Sequence, residues 1–479
     1  MLSEFKTTLK HTSIYGMGNI LKKGAAFFMI PVYTRFLTPS EYGTLELLEL
    51  VLDVVTLMVG LRLGEAVIRY YHHYETREDK MAVVSTGFFF CVGITVLAVL
   101  ICQGFASTVS GMVFGDTAHT AYLRWIFICL GCQLLYLVPE VFLIIEKRSV
   151  TYSGLSLAAF ILALCLNILF LVVLKMGIWG MIYSMVITKL TYMVLVFGFV
   201  LPRLPLAFSL SKLRQMVRFG LPLLPGVLSL FVINFSDRFF IQQFSDSHDL
   251  GIYSLGYKFG ILLVVLITDP FFRIWNTQRY EIAARPDGSV VIGQYFTYYL
   301  AALTTLALGL CLFSGSIIYF MADPGFHASS AIIPLIAVSY VFQGIAGFAT
   351  VGIMVTYKTR YILFANLGTA AVNIGLNAFL IRHWGIYGAA VSTIVSYAFL
   401  FALVAILSQR LYRIRFEFLR LAKLVGFAGL VAVLGANIHG PGLWDIGVKG
   451  AAFLLFPLGL WLGRFFTREE VDRIKTVFS

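Results

Sequence analysis

Fourteen times along the chain an apolar run of roughly 20 residues returns, the length a helix needs to cross about 30 Å of hydrocarbon. The runs are too continuous for the in-and-out alternation of a membrane β-barrel strand. With 59% hydrophobic and 13% charged residues and a mean hydropathy of +0.88, a soluble protein of 479 residues would hold more apolar side chains than its interior can bury. The chain is therefore predicted to be an all-α membrane protein of about 14 transmembrane helices. The second of these is placed at 42–63, the seventh at 219–241, the eighth at 250–275 and the last two at 418–437 and 446–466. Met1 to His11 is polar and the apolar run after it is too long for a signal peptide, so no cleavable leader is expected.

The runs are not independent of one another. GIWGMIYS, from Gly177 to Ser184, returns as GIYGAAVS, from Gly385 to Ser392, and each copy follows an apolar stretch carrying an asparagine, Asn167 or Asn377. YTRFL from Tyr33 is echoed by SDRFF from Ser236, so Arg35 and Arg238 each close the first long apolar run of a half. A duplication in so apolar a chain predicts two similar bundles with a shared site that either side of the membrane can reach. The expected organisation is an N-terminal lobe over 1–205, a C-terminal lobe over 206–410, and two extra spans with a tail over 411–479.

Charge outside the runs reads as topology. Most of the 36 Lys and Arg residues fall on one side if the N-terminus is cytoplasmic, among them Arg203, Lys212, Arg214 and Arg218 in a central loop and Arg410, Arg413, Arg415, Arg420 and Lys423 after the twelfth span. The net charge of +12 follows from that bias, and no nucleic-acid partner is expected. The six cysteines all lie inside apolar runs. Cys129 and Cys132 have C-x-x-C spacing without a second pair, so they read as small core residues and no metal is expected. The eight histidines fall in loops or at span ends, and no phosphate-binding glycine loop appears, which argues against an enzyme or an ATP-driven pump.

Charge inside the runs is the functional signal. Lys22, Lys23, Arg124, Lys189 and Lys258 are embedded cations; Glu46, Glu49 and Asp53 form a stripe on the second span, and Asp269 lies in the eighth. Each ionised group at mid-membrane costs about 2.5 to 3.5 kcal/mol, so the stripe must meet water, a cation or a proton. Antiparallel pairing of the first two spans would bring Lys22 and Lys23 within about a turn of Asp53. Two readings stay open: an ion pair that locks two helices, or groups that line a transport path with the lysines holding an anionic headgroup. Asp237 and Arg238, at the outer end of the seventh span, read either as a local pair or as a gate against Arg35. Asp269 and Arg273, spaced i and i+4, read as a structural pair or as part of a gate. Pro222 and Pro225 are expected to open the seventh helix, as a hinge or simply as its first turn.

IPVYTRFLTPSEYG from Ile30, FGLPLLPGVLSLFVINFSDRFF from Phe219, LGIYSLGYKFG from Leu250 and the segment from Asn377 to Ser392 together resemble the polysaccharide-transport, or Wzx-type, branch of the multidrug/oligosaccharidyl-lipid/polysaccharide exporter superfamily. The resemblance implies two six-helix lobes in a V around a central cavity plus two C-terminal helices, in the bacterial inner membrane with both termini cytoplasmic. It implies a flippase that carries undecaprenyl-pyrophosphate-linked oligosaccharide repeat units from the cytoplasmic to the periplasmic leaflet. Its partners would be that lipid-linked substrate, membrane lipids and polysaccharide polymerase or export machinery. A cationic cavity for the diphosphate carries over only to Arg35 and Arg238; Lys22, Lys23, Lys189 and Lys258 are assigned to substrate from depth and charge, and Glu46, Glu49 and Asp53 to coupling with H+ or Na+. A drug/cation antiporter or a peptidoglycan-precursor flippase of the same superfamily is the rival reading.

Overall fold

The computed structural model describes residues 27–436, 443–466 and 470, and among them every regular element is a helix. Hydrocarbon offers no water to backbone N–H and C=O groups, so a spanning segment must satisfy them within itself. Eleven described helices are long and apolar enough to cross a membrane. One of them, Arg360–Leu411, is two arms joined by a kink at Gly385 (φ 53°, ψ −135°). Pro39–Val59 is 21 residues long but carries Glu41, Glu46, Glu49 and Asp53, which is why apolarity alone passes it over. Before it, Ile30–Phe36 is helical. The chain is thus a multi-pass membrane protein; most of the first of the fourteen predicted spans, with Lys22 and Lys23, lies outside the described residues.

The chain divides into two compact units, the first taking in the described residues to Phe231 with Arg238–Gly251, the second Val232–Asp237 with the chain from Ile252 onward. The first unit contains α1 (Ile30–Phe36), α2 (Pro39–Val59), α3 (Leu63–His73), α4 (Arg77–Gly104), α5 (Ala106–Phe114), α6 (Thr120–Ile145), α7 (Ser149–Asn167), α8 (Gly177–Val200) and α9 (Leu210–Gly220). Next in the chain, α10 (Leu224–Phe244) and α11 (Ser247–Gly260) contribute residues to both units. The second unit continues with α12 (Asp269–Ala283), α13 (Gly288–Met321), α14 (Ile332–Ala349), α15 (Val351–Val355), α16 (Arg360–Leu376), α17 (Arg382–Leu411), α18 (Phe418–Ala436) and α19 (Leu443–Leu462).

One expectation is corrected here. The central basic loop is largely helix: α9 carries Lys212, Arg214 and Arg218, and Lys212 Nζ donates to Asp79 at 2.8 Å. Pro222 and Pro225 stand at the opening of the seventh span, where α9 runs through a single 3-10 turn, Leu221–Leu223, into α10. Both prolines sit at first-turn positions, where the missing N–H has no helical acceptor to serve. This joint touches another. The break between α2 and α3 passes through Leu61 and Arg62, both at positive φ (47° and 54°), and a Cβ on Gly220 would strike the Leu61 carbonyl oxygen.

The duplicated motif has the same local geometry twice. After Asn167 the chain loosens into a π-helix, Ile168–Val173, and Asn377 opens another, Asn377–Ile381. Each is followed by a glycine at positive φ, Gly177 at 54° and Gly385 at 53°, where an L side chain is strained. The next glycine of each copy is needed for space: a Cβ on Gly180 would press on Phe170, and one on Gly388 would strike the backbone of Leu380. The two asparagines also do the same thing. Asn167 Nδ2 donates to the Tyr33 hydroxyl at 2.8 Å, and Asn377 Nδ2 donates to Ser236 Oγ at 3.0 Å. Tyr33 and Ser236 are the matching first residues of YTRFL and SDRFF, so the two separate sequence echoes meet each other in both halves.

Within the first unit α2 and the start of α11 cross at Gly43 and Gly251, each the fifth residue of its helix. The crossing is reciprocal, because a Cβ on Gly43 would strike the carbonyl oxygen of Ser247 and one on Gly251 that of Pro39, each the first residue of the other helix. Alanine at either position must separate the helices. We expect Gly43→Ala and Gly251→Ala each to cost about 1 to 3 kcal/mol by overpacking, and the double variant to cost clearly less than their sum, because one separation relieves both clashes. Unfolding of the three purified variants in detergent, followed by tryptophan fluorescence, measures this.

Candidate functional site

The α2 helix is set by its start. Thr38 and Glu41 form a reciprocal capping box around Pro39, and the Glu41 carboxylate also accepts from the Ile178 backbone N–H at 3.3 Å, which ties the beginning of α2 to the beginning of α8. With that rotation fixed, Tyr42, Leu45, Leu48 and Leu52 are buried, while Glu46 is half-buried and Glu49 and Asp53 are exposed. The predicted stripe is therefore real: three carboxylates run down one flank of α2, clear of its packed face.

Opposite the stripe the first unit supplies one embedded lysine. Lys189 on α8 donates to Gln133 Oε1 on α6 at 2.6 Å, and Asp53, Cys129 and Cys132 all lie within its electrostatic reach. Further along the same two helices, the Tyr192 hydroxyl donates to Glu140 Oε1 at 3.1 Å and the Tyr136 and Tyr192 rings meet edge to face at 4.9 Å. Toward the other end of the column stand Tyr122, Trp179, Tyr183 and Trp125, with Tyr122 and Trp179 at 4.7 Å and Trp125 and Tyr183 at 5.4 Å. The α2, α6 and α8 faces thus carry an aromatic ladder at one end and, beyond it, carboxylates gathered around an amine. Among the described residues of this column, four carboxylates, Glu46, Glu49, Asp53 and Glu140, stand with a single lysine.

The other predicted residues are placed as follows. Arg35 is exposed at the end of α1 and Arg124 is exposed on α6. Asp237 and Arg238 are buried, at 1% and 5% exposure, and the Tyr253 hydroxyl donates to Asp237 Oδ2 at 2.5 Å. Asp237 is thus anchored to α11 inside the second unit. Lys258 is half-buried on α11; Asp269, at the start of α12 after a further π-helix at Val264–Thr268, is half-buried, and Arg273 one turn on is exposed. Sequence reasoning missed Gln133, Tyr136, Glu140 and Tyr192. Glu140 was within reach of the criterion that found the stripe, a carboxylate inside an apolar run; the three uncharged residues carried no such mark.

The comparisons with known proteins agree with this architecture. Residues 32–276 match the family described as polysaccharide biosynthesis protein. A protein of the Haemophilus influenzae Lsg locus is 24% identical over 258 residues, 54% of this chain and 62% of its own length, and a membrane protein of the same organism is 23% identical over 265 residues with the same coverage. The match therefore spans less than two thirds of these curated relatives. Among solved structures, the lipid II flippase MurJ in an inward closed conformation superposes with a TM-score of 0.74 at 12% identity, covering 94% of this chain and 98% of that one. An inward-facing multidrug resistance MATE family transporter of the MOP superfamily gives 0.61 at 14% identity, covering 80% and 93%. The fold is that of these transporters.

An ionised stripe is stable at membrane depth only where water or a counter-charge reaches it. In a background with the six native cysteines replaced by Ala or Ser, we expect Glu49→Cys and Asp53→Cys to react rapidly with a charged, membrane-impermeant methanethiosulfonate, and Leu48→Cys, buried at 0% exposure, to react at least about tenfold more slowly. Equal protection at all three positions would mean that the stripe does not face water.

Proposed function

The chain belongs to the polysaccharide biosynthesis protein family, and from that membership we propose that it is a flippase moving an oligosaccharide linked by diphosphate to a polyprenyl lipid from the cytoplasmic to the periplasmic leaflet. The observation that supports the reading is the column on α2, α6 and α8: charged and hydrogen-bonding side chains held at membrane depth. A diphosphate with sugars cannot enter hydrocarbon, since an unpaired ion there is prohibitively costly. A protein that moves one must offer a polar path to the headgroup while the lipid tail stays in the bilayer. Aromatic faces and hydrogen-bonding groups such as Gln133 suit sugar rings, and Lys189 suits a phosphate. In this reading Arg35, Arg238 and Lys258, with Lys22 and Lys23, add cationic groups for the diphosphate; Asp237, Asp269 and Arg273 act in gating; the termini are cytoplasmic and the membrane is the bacterial inner membrane.

The second half of the proposal is coupling to an ion gradient. Protonation or cation binding at Glu46, Glu49 or Asp53 links arrival of H+ or Na+ to arrival of an anionic substrate and gives an alternating-access cycle its direction. The rival reading is a drug/cation antiporter, in which these carboxylates bind the cargo itself.

Deletion of the gene separates the readings. A flippase for surface polysaccharide predicts loss of that polysaccharide with lipid-linked repeat units accumulating in the cytoplasmic leaflet; altered drug sensitivity with intact polysaccharide would indicate the antiporter, and lethality a peptidoglycan-precursor flippase. In complementation, Lys189→Ala is expected to lower surface polysaccharide at least about tenfold, the loss of more than about 1.4 kcal/mol of productive binding. The Glu49→Gln, Asp53→Asn double variant is expected to retain substrate binding while transport ceases to respond to collapse of the ion gradient. Full, gradient-dependent transport in that variant would place coupling elsewhere.

A further inference from the structure

Away from the column, the second unit contains a cavity of about 1000 Å³ whose polar wall is Arg410, Arg413 and Arg415 and whose apolar wall includes Phe401, Phe416 and Leu421. Its frame is rigid. Gln409 holds the loop after α17 by donating to the Ile414 carbonyl at 3.1 Å and accepting from the Ile414 N–H at 3.0 Å. The Arg415 N–H donates to the Ser289 carbonyl at 3.2 Å, and Gly293 on α13 packs against the Arg415 carbonyl. All three arginine side chains are exposed, and among the described residues none of them has a carboxylate partner. Two acids close by in the sequence or the fold are already engaged: Arg420 takes both Glu417, at 2.9 Å, and Glu470, at 3.1 Å. Three guanidinium groups in one preformed cavity therefore stand ready for an external anion.

The anion would have a tail. One helical turn beyond the cavity on both α13 and α18, from Phe296 to Leu300 and from Leu421 to Val425, a second hollow of about 340 Å³ opens, lined almost wholly by apolar side chains such as Leu308, Phe342 and Val425. Gly429 forms part of its wall, and a Cβ there would meet nothing within 4 Å. A charged head pocket with an apolar slot one turn further along the same two helices matches the amphiphile that surrounds the protein. We propose that α13, α17 and α18 bind a resident anionic glycerophospholipid, its phosphate on Arg410, Arg413 and Arg415 and one acyl chain in the slot beside Gly429. The positive-inside bias puts this head pocket at the cytoplasmic leaflet, where anionic lipid attracts juxtamembrane cations. The site is independent of the cargo and of the column in the first unit.

The test uses the full-length protein, delipidated in detergent, with dioleoyl phosphatidylglycerol, dioleoyl phosphatidylcholine or a polyprenyl phosphate added, read by native mass spectrometry and by thermal unfolding. Phosphatidylglycerol is expected to remain bound at one copy and to raise the unfolding temperature, phosphatidylcholine to do neither. The Arg410→Gln, Arg413→Gln, Arg415→Gln variant should bind phosphatidylglycerol at least about tenfold more weakly, with the wild-type affinity itself falling as salt rises. Gly429→Phe, which leaves the arginines intact and fills the slot, should also expel the lipid; unfolding in lipid-free detergent at the wild-type temperature shows that each variant is folded. Equal retention of both phospholipids, retention of phosphatidylglycerol by both variants, or retention of the polyprenyl phosphate alone would overturn the assignment, and none of these readouts involves transport.

Discussion

A side-chain amide buried in an apolar bundle has no water to turn to, so whatever it bonds becomes part of the frame. Asn167 and Asn377 use that constraint in the same way, each reaching from the end of a span to the first span of its own half, at Tyr33 and Ser236. In the second unit the bond extends into a small network: Asn377 also donates to Asn373, Asn373 donates to Ser396, and Ser236 donates to Asn373. The π-helical stretches and the positive-φ glycines lie immediately beside these asparagines. The wider π turn redirects backbone groups there, and the glycine lets the chain reverse into the next span without a side chain in the way. The junction leads directly into the last span of each half, Gly177–Val200 in one and Arg382–Leu411 in the other.

Much of this was readable in the residues. Apolar run length gave the helices, because a bilayer has one thickness, and the repeat gave the junctions, because the same pair of glycines must solve the same steric problem twice. The stripe at Glu46, Glu49 and Asp53 was also readable, since its spacing matches one face of a helix and charge at that depth is rare. What could not be read depended on neighbours. Nothing in the local sequence says that Lys189 will meet Gln133, 56 residues earlier, or that Tyr192 will meet Glu140. The central basic segment looked like a loop because its charges mask the period of a short amphipathic helix, α9, which packs on α3 and α4.

The electrostatics of the column differ from a simple basic pocket. The described side chains on α2, α6 and α8 place the carboxylates of Glu46, Glu49, Asp53 and Glu140 and the amine of Lys189 at membrane depth. The aromatic rings at the other end, Tyr122, Trp179, Tyr183 and Trp125, are indifferent to that charge state. Under the proposed function, recognition of neutral sugar and response to ions would be physically separable along one column.

The reciprocal contact of Gly43 and Gly251 is the kind made when identical surfaces meet about a two-fold axis: each residue touches the neighbourhood of its own counterpart. Self-matching of this sort arises between two copies of one polypeptide, where a single substitution alters both sides at once. Here both sides belong to one chain, where each can change alone. The spacing from Arg35 to Gly43 is five residues shorter than that from Arg238 to Gly251, yet the backbone contact itself admits only hydrogen on either side, so neither glycine can be exchanged without the other side giving way.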